Sequence, residues 1–410
     1  LQVFPGRLPG GRTAWLSTPY ADDPSTCGVP NHDPDLLVRE VGNLHRRGIQ
    51  LLIHAIGDAA MNDVAAAFAA WDDAGLTRAA GDESRDSWGC AWGTALAIAF
   101  GRKHAVTLWT READVTQTML TERENKQFFP GHLLPDSLSI GTDFETSVAS
   151  AELLIFATPL IGFRPTLRLL REINQVKPLI WVCKGMEAET AKFPHQIVGE
   201  ELGEEALCGA LTGPSFAEEV AKGLPTAISL ATNNPEFARQ MAWELHSSRL
   251  RIYANDDLIG VQVGGAVKNV MAIATGICDG LGFGHNARAA LMTRGLAEIA
   301  RLGVALGGQP TTFMGLAGMG DLILTCTGDL SRNRQVGLAL ATGKKLPQIL
   351  TDLGHVAEGV STAREVARLA TERGIDMPIT QAVNAILHHD VPAASAVEKL
   401  LNRDPKPEMR

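Results

Sequence analysis

The chain is short of nearly everything that marks a specialised scaffold. Its 410 residues include only six cysteines (Cys27, Cys90, Cys183, Cys208, Cys278 and Cys326), far apart, with no Cys-x-x-Cys pair and no repeated spacing. That argues against a disulfide framework or a cysteine zinc site and for reduced thiols in a cytoplasmic protein. No run of about 18 apolar residues occurs, and no basic segment followed by an apolar one opens the chain, so neither a membrane span nor a signal peptide is expected. Basic residues are in deficit: 37 Lys and Arg against 46 Asp and Glu leave a net charge of −9, which argues against a general binder of nucleic-acid phosphates. Any anion must be held by a few placed groups. Aromatics are few, at 5%, and 45% hydrophobic residues with 41 glycines is ordinary for a soluble α/β or α-rich protein of two or three domains.

What is present divides into three lengths. Residues 1–34 read as loop, "DPDLLVREVGNLHRRG" (33–48) as a helix with an Asp-Pro start, "IQLLIHAIG" (49–57) as a strand and "DAAMNDVAAAFAAWDDAG" (58–75) as a helix. A polar linker, 76–87, follows. Helices and strands then alternate: helix 92–102, strand 105–109, helix 112–124, strands 138–140 and 153–158, helix 165–174, strand 178–184, then "ALCGALTG" (206–213). Such alternation predicts a parallel sheet wound by crossovers. From about 257 the strand signals stop and long helical patterns take over. The expected domains are 1–85, a sheet domain at 86–255 and an all-α domain at 256–410, with a substrate cleft between the last two.

Several stretches carry chemistry. "GCAWGTALA" (89–97) resembles the end of a glycine turn opening a nucleotide-binding helix, a common pattern taken alone. Arg111, after the strand "AVTLW", stands where an acidic residue would hold the ribose of NAD or a basic one the 2′-phosphate of NADP, and Glu112 beside it leaves both open. "WVCKGME" puts Lys184 at the carboxyl end of a strand, and "LTGPSFAEEV" opens a helix whose free amides could hold an anion. Lys268, in "GGAVKNVMAIATG", must either reach water or line a cleft, where its pKa can fall far enough for proton transfer. In "GLAGMGDLILTCTGDLSRNRQVG" (315–337), Asp321 follows a glycine, and "SRNR" groups two guanidiniums with an amide, a combination suited to a phosphate monoester or to a solvated loop.

Over residues 91–400, "WGTALA", "FATP", "KGME", "TGPSFAEEVAKGLPTA", "GGAVKNVMAIATGICDGLGFG", "TRGLAEIARLG", "AGMGDLILTCTG", "SRNRQVG" and "AEGVSTA", in this order, resemble the bacterial NAD(P)-dependent glycerol-3-phosphate dehydrogenases. The resemblance implies a Rossmann-like parallel-sheet domain followed by an all-α domain of the 6-phosphogluconate-dehydrogenase C-terminal type. It also implies reversible hydride transfer between NADP or NAD and dihydroxyacetone phosphate or sn-glycerol 3-phosphate, in the cytoplasm, for glycerophospholipid synthesis. Lys268 then exchanges the substrate proton. Substrate contacts fall on Lys184, Gly213, Ser215, Lys268, Asp321, Ser331, Arg332 and Asn333. Cofactor contacts fall on Ala91, Trp92, Gly93, Arg111, Lys184, Ala217, Arg332, Val356 and Glu358, with Ala91 where many members carry Ser. Small molecules are the implied partners, without nucleic acid, metal or membrane span; members are often dimers.

Two features depart from that family. Its Gly-x-Gly-x-x-Gly would place glycines at Trp88 and Cys90, and "DESRDS" stands where its first strand should be, so that strand is expected to be lost or replaced. This keeps open a second reading, a chain that binds phosphate or nucleotide without turnover. His285 stands where Asp is usual. Further, "WLSTPYADDPSTCGVPNHDPDLLVREVGNLHRRGIQLLIHAIGDAAMNDVAAAF" resembles a fragment of a metal-dependent amidohydrolase barrel, in which a histidine matching His54 ligates metal. One histidine cannot make that site without the other strands, so no metal is expected here. The sequence reads as two unrelated coding pieces joined, with 1–85 expected to be poorly packed.

Overall fold

The computed structural model describes residues 87–353 and 357–404, together with two short strands, β1 (Gln2–Val3) and β2 (Leu52–Ile53). The chain divides into two compact units, Leu1–Arg85 and Asp86–Arg410. In the first, β1 and β2 run parallel, Gln2 opposite Leu52 and Val3 opposite Ile53. The helices expected at 33–48 and 58–75, the histidine His54 and the packing of 1–85 lie outside the described residues.

The second unit opens with helix α1 (Ser87–Phe100) and continues as an alternation of strands and helices. In order these are β3 (Val106–Trp109), α2 (Ala113–Glu122), β4 (Leu138–Gly141), α3 (Phe144–Ala149), β5 (Leu154–Phe156), α4 (Leu160–Glu172), β6 (Leu179–Trp181), α5 (Pro194–Leu202), β7 (Cys208–Thr212), α6 (Ala217–Lys222), β8 (Thr226–Thr232), α7 (Pro235–Leu245) and β9 (Leu250–Asn255). β3 pairs parallel with β4, and β5 to β9 form a second sheet in chain order, parallel except for the antiparallel junction between β7 and β8. The strands β8 and β9 were not anticipated. Their apolar runs lie close to α7, whose start is set by Pro235 and by Asn234, which accepts from the amides of Glu236 and Phe237.

Two boundaries differ from expectation. Helix α4 begins at Leu160, with Pro165 inside it, so it starts earlier than the proline suggests. Helix α1 begins at Ser87, so the positions of Trp88 and Cys90 are already helical. Without glycine at those two places the open turn of the fingerprint loses its favoured residues, and the stretch joins the helix after it.

The stretch "DESRDS" (82–87), where a first strand was expected to be lost or replaced, lies outside the described residues apart from Ser87. Among the described residues the strands of this unit form two separate sheets, with β3 only partly buried while β6 and β7 are buried throughout. Helix α1 bridges the pieces. Trp92 packs both with the cluster holding Leu108 and Ile140 and with the cluster holding Ile180, Leu211 and Ile228.

After β9 the chain is helical: α8 (Leu258–Gly280), α9 (Gly284–Ala305), α10 (Pro310–Phe313), a π-helical turn at Leu316–Gly320, α11 (Asp321–Thr327), α12 (Arg332–Ala341), α13 (Leu346–Leu353), α14 (Glu358–Glu372), α15 (Pro378–His388) and α16 (Ala393–Leu401). Helix α8 is the axis, buried from Gly260 to Cys278. By length and composition it could cross a membrane, but 89% of its apolar window is buried within the protein. Small residues let α12 lie against it backbone to backbone. A Cβ on Gly276 would sit 2.1 Å from the carbonyl oxygen of Arg334, and one on Gly337 2.1 Å from that of Ile273. The obstacle in both cases is main chain, which cannot swing aside. Gly276→Ala is therefore expected to destabilise the unit by about 1–3 kcal/mol, read as a lowered midpoint in urea unfolding.

Candidate active site

The centre of the site is one buried carboxylate, Asp321, which is 1% exposed. It begins α11 directly after the π-helical turn, a rare geometry that tends to occur at functional positions. Lys268, from the middle of α8, donates to Asp321 Oδ1 and, at 2.9 Å, to Thr325 Oγ1. Lys184, just beyond the end of β6, donates to Asp321 Oδ2 at 3.1 Å. Thr212, the last residue of β7, donates to the same oxygen at 3.2 Å. The sheet and the helical core thus meet on one acidic group.

Burial sets the protonation chemistry. It pushes the Lys268 ammonium below its usual range; Asp321 opposes this, and the nearby Lys184 adds to it. For Asp321 burial pushes the carboxyl upward, but Lys184 and Lys268 outweigh it and hold the group below the ordinary carboxylate value. The result is an ionised acid beside an amine that can release its proton.

A second group gathers at the N-termini of α12 and α14. Ser331 caps α12, its hydroxyl accepting from the Arg334 amide at 3.3 Å. Asn333 Oδ1 accepts from the Gly359 amide at 3.0 Å, and Asn269, next to Lys268 on α8, donates to Glu358 Oε2 at 3.4 Å. A Cβ on Gly359 would lie 2.6 Å from Asn333 Oδ1 and 2.8 Å from the carbonyl oxygen of Asn269, so this group adjoins Lys268. Of the two guanidiniums in "SRNR", Arg334 is engaged elsewhere. It donates to Asp279 at 2.9 Å and to Asp329 at 3.0 Å.

The remaining expected residues lie along the carboxyl edge of the sheet. Arg111 is exposed just past the end of β3. Ala91 and Trp92 lie in α1, and Gly93 packs so closely on β5's end that a Cβ would meet that of Ala157 at 3.0 Å. Gly213, at φ +147°, follows β7 with Ile228 against it, Ser215 Oγ donates to the Gly213 carbonyl at 2.9 Å, and Ala217 starts α6. Val356 lies outside the described residues. His285, in the first turn of α9, is exposed.

Thr212, Thr325 and Asn269 were not anticipated. Two of them carried a weak signal, since Thr325 is four residues from Asp321 on one helix and Asn269 adjoins Lys268. Thr212 carried none, because only the sheet brings it to Asp321. Among the described residues no three His, Cys, Asp or Glu side chains gather as metal ligands would.

Asp321→Asn would leave the buried Lys268 and the half-buried Lys184 without their carboxylate partner. It is expected to cost about 3–5 kcal/mol of stability in urea unfolding, against about 1 kcal/mol for Thr325→Val.

Comparison with known proteins agrees with this geometry. Residues 89–238 match the family described as NAD-dependent glycerol-3-phosphate dehydrogenase N-terminus, and residues 257–398 match its C-terminus counterpart. Residues 1–97 match the amidohydrolase family, overlapping the first of these at 89–97. A glycerol-3-phosphate dehydrogenase [NAD(P)+] of Dechloromonas aromatica is 67% identical over 319 residues, 78% of this chain and 97% of the relative. One from Aromatoleum aromaticum is 57% identical over the same shares. The crystal structure of glycerol-3-phosphate dehydrogenase from Coxiella burnetii superposes with a TM-score of 0.73 at 41% identity, covering 76% of this chain and 96% of that one. These matches in sequence and fold show that this chain belongs to the NAD-dependent glycerol-3-phosphate dehydrogenase family.

Proposed function

We propose that the chain reduces dihydroxyacetone phosphate reversibly to sn-glycerol 3-phosphate with NADPH or NADH, in the cytoplasm, supplying glycerophospholipid synthesis. The observation that carries this reading is the pairing of Lys268 and Lys184 on the buried Asp321. It supplies an amine of lowered pKa at the junction of a nucleotide-binding sheet and a helical core.

The described residues fit a dinucleotide. Gly93 allows the close approach of α1 to β5, and Arg111 stands exposed beyond β3, in the place for a ribose or its 2′-phosphate. When bound, the nicotinamide supplies the hydride. The chain's own groups handle charge and position. As the C2 carbonyl of the ketone becomes an alkoxide, Lys268 gives its proton to that oxygen, and in the reverse direction it takes the proton back. Asp321 keeps the lysine in place and Lys184 adds positive potential beside it. Ser331, Arg332 and Asn333 hold the phosphate as a remote handle that fixes C2.

The experiment is to mix the purified chain with dihydroxyacetone phosphate and NADPH, then NADH, and follow the absorbance of the reduced nicotinamide. Consumption is expected, and none with either cofactor from folded protein would sink the proposal. Lys268→Ala should lower turnover about 10²- to 10⁴-fold with cofactor binding retained. The pH dependence has a definite sign: reduction needs the ammonium, so its rate should fall as pH rises through the depressed Lys268 pKa. Oxidation needs the free amine, so its rate should rise over the same range. Asp321 supports the ammonium, so in Asp321→Asn both limbs should move to lower pH in initial-rate profiles.

A further inference from the structure

The loop that follows β6 carries Lys184, and Glu187, further along it, is tied to α4. Glu187 gives both carboxylate oxygens to one guanidinium there: Arg164 donates from Nε to Oε1 at 2.7 Å and from Nη2 to Oε2 at 2.8 Å. A two-pronged pair of this kind fixes orientation as well as distance. Arg164 also donates at 2.8 Å to Glu200 and to Glu201 of α5. Those two acids have further cations, since Arg168 and Arg171 bond Glu201 and Lys192 bonds Glu200. The joint between α4 and α5 therefore does not need Glu187. What Glu187 adds is a link from that joint to the loop.

Between Lys184 and Glu187 the chain has one soft point and one anchor. Gly185 has φ +117°, and a Cβ there would lie 2.8 Å from Thr362 Oγ1 of α14. Met186 is 1% exposed and packs in the helical core. Main-chain bonds from the Glu187 amide to the Lys192 carbonyl and from the Ala191 amide to the Glu187 carbonyl, both 2.9 Å, close the loop behind it. Lys184 is thus held between the end of β6 and Glu187, with its ammonium 3.1 Å from Asp321. We propose that Arg164 and Glu187 are a positioning pair for Lys184, fixing the loop so that its ammonium stays on Asp321 beside Lys268. The catalytic meaning of this rests on the dehydrogenase reading above, and neither residue is among the contacts that the family resemblance implies. Asp321 and Lys184 are the charged groups that act most on Lys268, and Lys184 disfavours its proton. A slack loop lets Lys184 withdraw, so Lys268 then holds its proton more tightly. Losing the Glu187 charge alone acts in the opposite direction, so the sign separates positioning from plain electrostatics.

The test is Glu187→Ala in the full chain, with lysine side chains labelled at Cε and the Lys268 signal identified by its loss in Lys268→Arg. Titration by NMR reads the Lys268 pKa without substrate or cofactor. The expected result is an upward shift of about half a pH unit or more in Glu187→Ala. In a Lys184→Met background the same substitution should move it no further, because the pair acts through Lys184. An unmoved or lowered Lys268 pKa overturns the inference, and so does an equal upward shift when Lys184 is already gone. If Glu187→Ala does not fold, Glu187→Gln, which keeps an acceptor oxygen, carries the same comparison with a smaller shift. In turnover, the fall in the rate of dihydroxyacetone phosphate reduction with rising pH should move up with the Lys268 pKa. A parent chain without turnover would defeat the dehydrogenase reading and leave the NMR result to decide the positioning pair, so the two failures are distinct.

Discussion

One buried carboxylate holds the working parts of this protein together. Asp321 receives Lys268 from the core helix α8, Lys184 from the end of β6 and Thr212 from the end of β7. Each comes from a different part of the chain. A charge so deeply buried is tolerable only when it is paired and hydrogen-bonded, and here the pairing also generates the chemistry. Dehydration lowers the affinity of Lys268 for its proton, while Asp321 keeps that lysine from becoming an uncharged core residue. The same contact closes the seam between sheet and helices, so stability and function depend on one geometry.

That geometry depends on how closely α8 can be approached. Gly276 and Gly337 bring α12 against it, and Gly264 admits the π-helical turn, where a Cβ would lie 2.5 Å from the Ala317 carbonyl oxygen. The first approach sets the group Ser331–Asn333 near Lys268. The second delivers Asp321 to it. The sheet contributes its carboxyl edge, where β5, β6 and β7 each end on a residue or turn that faces this helix or the cofactor path.

The nucleotide-binding half is less complete. Among the described residues its strands form two sheets, and α1, running on through the positions of Trp88 and Cys90, bridges them by packing Trp92 against both. Lys184, Lys268 and Asp321 all lie beyond the altered turn, so their mutual geometry does not depend on it.

Much of this was legible in the residues themselves. The alternation of strands and helices, the switch to helices near 257, and the suitability of Lys184, Lys268 and Asp321 for the site followed from local pattern, because periodicity and an isolated charge in an apolar helix are local properties. Three things were not local. Arg334 and Arg332 look equivalent in "SRNR", yet it is the fold that sets Arg334 against Asp279, 55 residues away in the chain. Thr212 is an ordinary strand residue until the sheet sets it beside Asp321, and Asn269 and Glu358, 89 residues apart in the chain, meet only through the packing of α14 on α8. The sequence by itself determined which groups were available and in which elements they ride. Which of them share one buried charge was decided by tertiary structure alone, because desolvation and ion pairing depend on distances between segments that only the folded packing brings together.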